Sequence, residues 1–397
     1  MTTLPIMMER VIILFNLDNE KLEGLKAVHT ANEIYQQPTV WNKFVATLND
    51  QKNEIKNFVH SIYDKHDQVR VIMTGAGTSA FAGDTLVPIL RSQHKEKVQF
   101  EAIATTEIVS NPDQYLFEDA ATILVSFARS GNSPESVAAV TLGNQIVKDF
   151  YQVVITCNKN GQLATNSKND ENSIVILTPD EAHDQGFAMT SSYTSMMIAA
   201  YTLFSKKEFD LNVIPNAEKL VEKVATTVDQ VLDLDFDRIV YLGSGSLGQL
   251  AHESALKMLE LTAGKVVAIH ESSLGFRHGP KSILNEKSIV TLFMSSDSYT
   301  RKYDLDILRE LVLDGKVNVI ALTEKADPEV EKLANWTIAV NDGEHALAND
   351  FSLALLYIIF AQVISLKKSI QLGITPDNPS PDGLVNRVVK GVTIYEK

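Results

Sequence analysis

The sequence predicts an α/β protein made of two copies of one three-layer αβα domain, each a parallel β-sheet flanked by helices. The first sign is local: Val69–Gly75 (VRVIMTG) is an apolar strand that runs into the small-residue loop Gly75-Ala76-Gly77-Thr78-Ser79 and then into a helical pattern, the order that opens a βαβ unit. The second is a repeat: RIVYLGSGSLGQL restarts the same order, with Gly243 and Gly245 standing 168 residues after Gly75 and Gly77. The third is that the strands are apolar along their length rather than alternating, as strands covered on both faces of a parallel sheet are.

Taken in order, residues 1–60 read as a helical segment, with Trp41, Phe44, Val45 and Leu48, then Ile55, Phe58, Val59 and Ile62, at helical spacing and Pro38 at a helix start. Residues 61–210 read as the first domain. After its opening unit come ATILVSF, the loop Ala128–Ser136, a helix through about Lys148, YQVVITC, SIVILTPDE and a helix from about Thr190 to Ser205. Residues 206–237 hold a linker and a helix, with Pro215 as punctuation, before the strand order restarts, and residues 211–370 read as the second domain. In it SIVTLFMSSDS answers TILVSFARSGN, VNVIALTEK answers YQVVITCNK, and TIAVNDGEH with its long helix to about Lys368 answers SIVILTPDEAH. Residues 371–397 form a tail. Pro376, Pro379 and Pro381 deny it a long helix, yet VNRVVKGVTI is patterned enough to pack back on the body.

Composition narrows the function. With 36 basic against 50 acidic residues the net charge is −14, which opposes non-specific nucleic-acid binding while leaving room for a small anion held by a few local donors. One cysteine, Cys157, within the apolar run VVITC, admits no disulfide framework and no cysteine-based zinc site. The opening MTTLPIMMERVIILFNL has neither the apolar span of a membrane helix nor the form of a secretory signal, so a cytoplasmic protein with no membrane partner is expected.

Two stretches carry chemistry. GAGTS and ARSGNSPES sit at strand C-termini and open onto helix N-termini, where backbone amides, the helix dipole and hydroxyl donors suit a phosphate. Helix capping by Ser and Thr is the plainer use of such residues. Neither loop is a dinucleotide fingerprint, and no GxxxxGK[ST] loop is present. The second copy's equivalents, GSGSLG and MSSDSYT, are less complete, so the phosphate is expected in the first copy. The other stretch, Ala251–Ser282, holds three carboxylates, three lysines and three histidines in 32 residues. On a helix from about Gln249, Glu253, Lys257 and Glu260 share one face, with Glu253 expected to pair with Lys257. The strand-like VVAIH and the glycine-framed loop Gly275–Lys281 follow. His252 and His270 have no partner at metal-ligand spacing and read as structural. His183 and His345 occupy equivalent places in the two copies, which favours a shared structural role.

The paired loops, the duplication, the HESALKMLEL helix, the LGFRHGPKS loop and the NPSPDGLVNRVV tail together resemble the sugar isomerase (SIS) domain family. The resemblance is strongest to its AgaS-type galactosamine-6-phosphate deaminase/isomerases, and extends to the isomerase half of glucosamine-6-phosphate synthase. It implies a flavodoxin-like fold in each copy, a phosphorylated amino sugar as substrate, no cofactor and no metal. It places the phosphate on Thr78, Ser79, Ser130 and Ser133; Ala128 stands where the synthase has a further serine, and Arg129, in place of its glutamine, is a candidate replacement. The same resemblance makes Glu260 the proton-transferring base, Lys257 and the tail residue Lys390 charge-stabilising cations, and His278 the ring-opening acid, supplied by a neighbouring subunit of a homodimer or homotetramer. The implied reaction is deamination coupled to isomerisation, galactosamine 6-phosphate to tagatose 6-phosphate plus ammonia. The alternatives are isomerisation of a neutral hexose phosphate and, from another class, a non-catalytic sugar-phosphate sensor.

Overall fold

The computed structural model describes residues 13–94, 97–389 and 391–397. Two five-stranded parallel sheets dominate it. The first contains β1 (Val69–Thr74), β2 (Val98–Ala102), β3 (Thr122–Ala128), β4 (Phe150–Thr156) and β5 (Ser173–Leu177) in the order β2-β1-β3-β4-β5. The second contains β6 (Arg238–Gly243), β7 (Val267–Ser272), β8 (Ser288–Phe293), β9 (Asn318–Thr323) and β10 (Trp336–Ala339) in the order β7-β6-β8-β9-β10. The two orders are the same, so the repeat read from the glycines is a repeat of topology, and the order is the flavodoxin-like one.

The principal helices are α1 (Val28–Tyr35), α2 (Gln37–Lys65), α3 (Thr78–Gln93), α4 (Pro134–Ile146), α5 (Ser191–Phe204), α6 (Val213–Leu232), α7 (Ser246–Leu261), α8 (Thr300–Asp314) and α9 (Asp350–Gln371). Strand residues alternate between two cores. Val71, Met73, Ile123 and Val125 join Ile239, Tyr241, Ile289 and Phe293 in one large core shared by both sheets, whereas Ile72 and Leu124, and Val240 and Leu292, face separate outer cores. The inner helices therefore bind the two copies into one body, with α9 at its centre. α9 is long and apolar enough to cross a membrane by composition, but 94% of its apolar window is buried inside the protein, which is how a core helix looks.

Several local expectations change. The N-terminal region is not helical throughout: Ile13–Leu14 and Leu17–Asp18 pair as a minimal antiparallel hairpin. The two helical patterns of residues 38–62 are one 29-residue helix, α2, with Pro38 in its first turn, where its missing amide costs nothing. Trp41 is buried there, with its indole N–H donating to Thr194 at 2.9 Å. Strand β2 (VQFEA) has no counterpart in the sequence reading. It is an edge strand, polar on alternate residues, so it lacks the continuous apolar run that marked the central strands.

Candidate active site

The switch point of the first sheet lies between β1 and β3, where the strand order reverses and ligands of such sheets bind. Both loops leaving these strands meet there. Gly77, at φ +56°, turns the chain into α3, a conformation glycine adopts without strain. A Cβ on Gly75 would lie 2.6 Å from the backbone of Ser79, so only glycine lets the first turn of the helix close this tightly on the strand. A cavity of about 230 Å³ results, walled by Thr78 and Ser79, by Ala128, Arg129, Ser130 and Ser133, by Phe187 and Met189, by Glu260, and by residues 385–389 of the tail. Capping does not occupy these hydroxyls: α3 and α4 make no side-chain cap bond, although Ser133 stands at the N-cap of α4. Among the described residues, the Ser79 hydroxyl reaches only the sulfur of Met189, at 3.8 Å.

Glu260 comes from the other copy. Helix α7 packs across α3, so that the last turn of α7 meets the first turn of α3. The Lys257 ammonium lies 2.5 Å from the Glu260 carboxylate, 3.0 Å from the Thr78 hydroxyl and 3.3 Å from Glu253. Lys257 and Glu253 are completely buried, while Glu260 keeps contact with the cavity. Burial opposes the charge on Lys257, but the two flanking carboxylates outweigh it and hold its pKa above the usual lysine range. Burial pushes the Glu253 carboxyl the other way from an exposed acid, up to about 8, against the pull of Lys257.

Other sequence expectations fare differently. Arg129 lines the cavity, but its guanidinium is turned onto the protein: it donates to the carbonyls of Gly186 at 3.4 Å, Phe187 at 3.2 Å and Arg387 at 3.0 Å. It ties the β3 loop to the segment before α5 and to the tail. His278 is exposed and does not line its own chain's cavity. Its cationic neighbours are held by α8, Arg277 by Glu310 at 2.5 Å and Asp306 at 2.9 Å, and Lys281 by Glu310 and by Asp314 at 2.5 Å. Lys390 lies outside the described residues. His252 and His270 stack with ring centroids 3.9 Å apart, and Phe81 covers the other face of His252. The symmetric reading of His183 and His345 does not hold: His183 is half-buried near Arg387 and Arg129, whereas His345 is exposed. Phe187, Met189 and Asn386 also wall the cavity and carry no chemical signature in the sequence; only the patterned tail hinted at the last.

The corresponding place in the second copy is already filled. Gly245 repeats the backbone of Gly77 (φ +58°, ψ −126° against φ +56°, ψ −131°). There the buried Asp304 carboxylate accepts from the Ser244 hydroxyl at 2.8 Å, the Ser273 hydroxyl at 2.6 Å and the Ser295 amide at 3.0 Å. In a larger open groove of about 650 Å³ beside β2, the cationic and imidazole groups are already engaged: Arg70 makes a bidentate pair with Glu101, Arg91 donates to the Phe100 carbonyl at 2.6 Å, and the His94 ring bonds the Phe204 carbonyl at 2.9 Å.

The SIS domain family matches residues 63–206 and 235–370. The chain is 42% identical over 372 residues to the D-galactosamine-6-phosphate deaminase AgaS of Escherichia coli, covering 92% of this chain and 95% of that protein. A solved structure named tagatose-6-phosphate ketose/aldose isomerase, also from Escherichia coli, superimposes with a TM-score of 0.84 at 38% identity, covering 92% of this chain and 96% of the other. One from Clostridium novyi NT, given the same name provisionally, does so with a TM-score of 0.93 at 39% identity, covering 98% and 100%.

Proposed function

The chain belongs to the SIS domain family, and on that premise we propose that it is an enzyme, an amino-sugar-phosphate deaminase/isomerase converting galactosamine 6-phosphate to tagatose 6-phosphate and ammonia. The observation that carries the reading is the meeting of Glu260, from the second copy, with the hydroxyl-lined cavity of the first, with Lys257 bridging the two through Thr78. Thr78, Ser79, Ser130 and Ser133 hold the phosphate at the positive ends of α3 and α4. This leaves the open-chain sugar reaching toward Glu260, which removes the proton at C2 and returns it at C1. Lys257 stabilises the oxyanion that forms meanwhile. The product at C2 is an imine, and water releases its nitrogen as ammonia.

Ring opening needs a proton donor that the chain's own cavity lacks among its described lining residues. We assign it to His278 of a second copy in a homodimer or homotetramer, a role that its exposure on a glycine-framed loop supports. Lys390, which follows the cavity-lining Val388 and Val389 in sequence, is assigned the second cation. A doubly charged sugar phosphate does not cross membranes unaided, which suits a cytoplasmic site.

The names of the two solved relatives favour a second reading, isomerisation of a neutral hexose phosphate. One assay separates the two: ammonia release and ketose formation from galactosamine 6-phosphate and glucosamine 6-phosphate, beside turnover of neutral aldose and ketose phosphates. Ammonia from the galactosamine ester supports the deaminase. Interconversion of neutral esters with no ammonia from either amine refutes it. Glu260→Gln should lose about 10²–10⁴-fold in turnover in either case, and full activity in that variant removes Glu260 as the base. Mixing inactive Glu260→Gln and His278→Ala chains should restore activity, because a hybrid contains one site with both intact groups. Failure of properly assembled hybrids to recover any turnover refutes the shared site.

A further inference from the structure

We propose that Glu253 is a positioning residue of this reaction, whose neutral carboxyl leaves Glu260 as the anion paired with the Lys257 ammonium, so that Lys257 is released to the substrate when Glu260 takes up its proton. The inference rests on the functional reading above and on the geometry of one helix face. Glu253, Lys257 and Glu260 follow one another at i, i+4 and i+7 on α7. Lys257 sits close to Glu260, at 2.5 Å, and stands off from Glu253, at 3.3 Å. The Glu253 side chain is fully buried, and the donors that approach it among the described residues, the Lys257 ammonium at 3.3 Å and the Thr78 hydroxyl, make no well-aligned hydrogen bond to either oxygen. A buried carboxylate without aligned donors is the costly state, and a protonated acid relieves it. Burial accordingly drives the Glu253 carboxyl up to about 8.

Among the described residues, the charges that act on Glu253 are those of Lys257 and Glu260. Helix α3 presents Thr78, with Asp84 beyond it, and α5 presents the Tyr193 hydroxyl, bonded to Thr85. On α9, Lys367 is engaged by Phe15 and Asp229, Lys368 by Gln371, and Asp350 by Ser295 and Ser296. On the strands beneath, His270 stacks on His252, Glu271 turns to Ser272 and Arg238 to the carbonyl of Ile283.

The consequence is a change of charge timed to the chemistry. Before proton transfer the neutral Glu253, the Lys257 cation and the Glu260 anion sum to zero. In the transfer the C2–H bond breaks, its electron pair forms the C1–C2 double bond, the C1 carbonyl becomes an oxyanion, and the proton passes to Glu260. The face is then left with one uncompensated positive charge opposite the new negative one, where a low-dielectric site makes the pairing strongest. An ionised Glu253 would cancel Lys257 at that moment and leave the oxyanion unopposed.

The test is the pH dependence of kcat for wild type and Glu253→Gln on galactosamine 6-phosphate, with the substrate amine titrating alike for both. Wild type should fall about tenfold per pH unit above about 8, whereas Glu253→Gln, which cannot ionise, should keep at least about a third of wild-type kcat at pH 7 and hold it into the alkaline range, with KM little changed. An alkaline limb of the same midpoint in both proteins overturns the proposal, as does loss of more than about 100-fold in kcat at pH 7 by a folded variant. The wild-type infrared spectrum, differenced against Glu253→Leu should the Gln variant not fold, gives a readout free of turnover. A protonated-carboxyl carbonyl band that disappears with a midpoint near 8 supports the proposal, and a carboxylate already ionised at pH 7 sinks it. Because this measurement needs no substrate, failure of the deaminase reading and failure of the Glu253 proposal remain distinguishable.

Discussion

Adding a single methyl group at Gly75 and, separately, at Gly243 tests whether the two copies divide their labour. The two glycines are structural twins. A Cβ on Gly75 would lie 2.6 Å from the Ser79 carbonyl carbon and Cβ, and one on Gly243 would lie 2.6 Å from the Leu247 carbonyl carbon and oxygen. Ordinary contact begins near 3.4 Å, so in each case the first turn of the following helix must retreat by somewhat under 1 Å. The obstructing atoms are mostly backbone, and overpacking of this kind costs about 1–3 kcal/mol. Gly75→Ala and Gly243→Ala should therefore lower Tm by a similar few degrees, roughly 1–4 °C for 1–3 kcal/mol in a chain this long.

Their effects on substrate should diverge. In Gly75→Ala the displaced turn carries Thr78 and Ser79, and a hydrogen bond to a charged group is worth about 1.5–3 kcal/mol, so losing one of them raises KM for a phosphosugar by about 10- to 100-fold. In Gly243→Ala the displaced turn faces the Asp304 carboxylate, and Glu260 lies at the far end of α7. KM should there rise by less than about threefold. Thermal unfolding and steady-state kinetics on the two variants decide the point. Equal rises in KM at equal stability loss would refute the assignment of the phosphate to the first copy alone.

Arg129→Gln removes the guanidinium that donates to the carbonyls of Gly186, Phe187 and Arg387, so trypsin should cut after Arg387 faster than in wild type, by an expected factor of about 10 or more. Unchanged cleavage would show that the tail is held by other contacts. Glu33 supplies a pH test of stability: burial first, then the nearby Asp184, push its carboxyl up to about 8 despite the amides of Gln185 and Gly186 that it accepts. A raised carboxyl pKa contributes stability that is complete below the unfolded value of 4.5 and is lost as pH rises through about 8. Relative to Glu33→Gln, wild type should thus lose up to about 1 kcal/mol per pH unit across that window and be parallel to it outside. Parallel denaturant-unfolding curves from pH 5 to 8 would remove Glu33 from that role.

What was legible in the sequence was whatever the chain states locally. Central parallel strands announce themselves because both faces must be apolar, as in Val69–Thr74 and Thr122–Ala128, and a tight βα turn announces itself because only glycine fits at Gly75 and Gly243. The i, i+4, i+7 spacing of Glu253, Lys257 and Glu260 likewise put them on one face before any coordinates. It could not say that this face is dry, because dryness comes from α3 and α9 packing over it. The edge strand β2 was missed because an edge relaxes the apolar requirement. The direction of Arg129 was illegible for another reason: its acceptors are backbone carbonyls 57, 58 and 258 residues away, and a carbonyl has no sequence signature.

The duplication explains why one cavity has the whole apparatus. Helices α3 and α7 have 16 residues each and begin at equivalent positions, so Glu253, Lys257 and Glu260 of α7 correspond to Thr85, Ile89 and Ser92 of α3. The face of α3 offered to the second copy therefore has no base and no cation. Helices α4 and α8 also begin in register, at Pro134 and Thr300, so Asp304, the fifth residue of α8, corresponds to Ala138. Where the second copy carries a carboxylate that satisfies its own loop donors, the first has a methyl group. An anion at the first switch point meets no resident carboxylate there, and an anion at the second would have to displace Asp304 from three hydrogen bonds. Two kinds of substitution on one inherited backbone, acids and a lysine on α7 and an acid on α8, are enough to turn two equivalent cradles into one site with a binding half and a proton-transferring half.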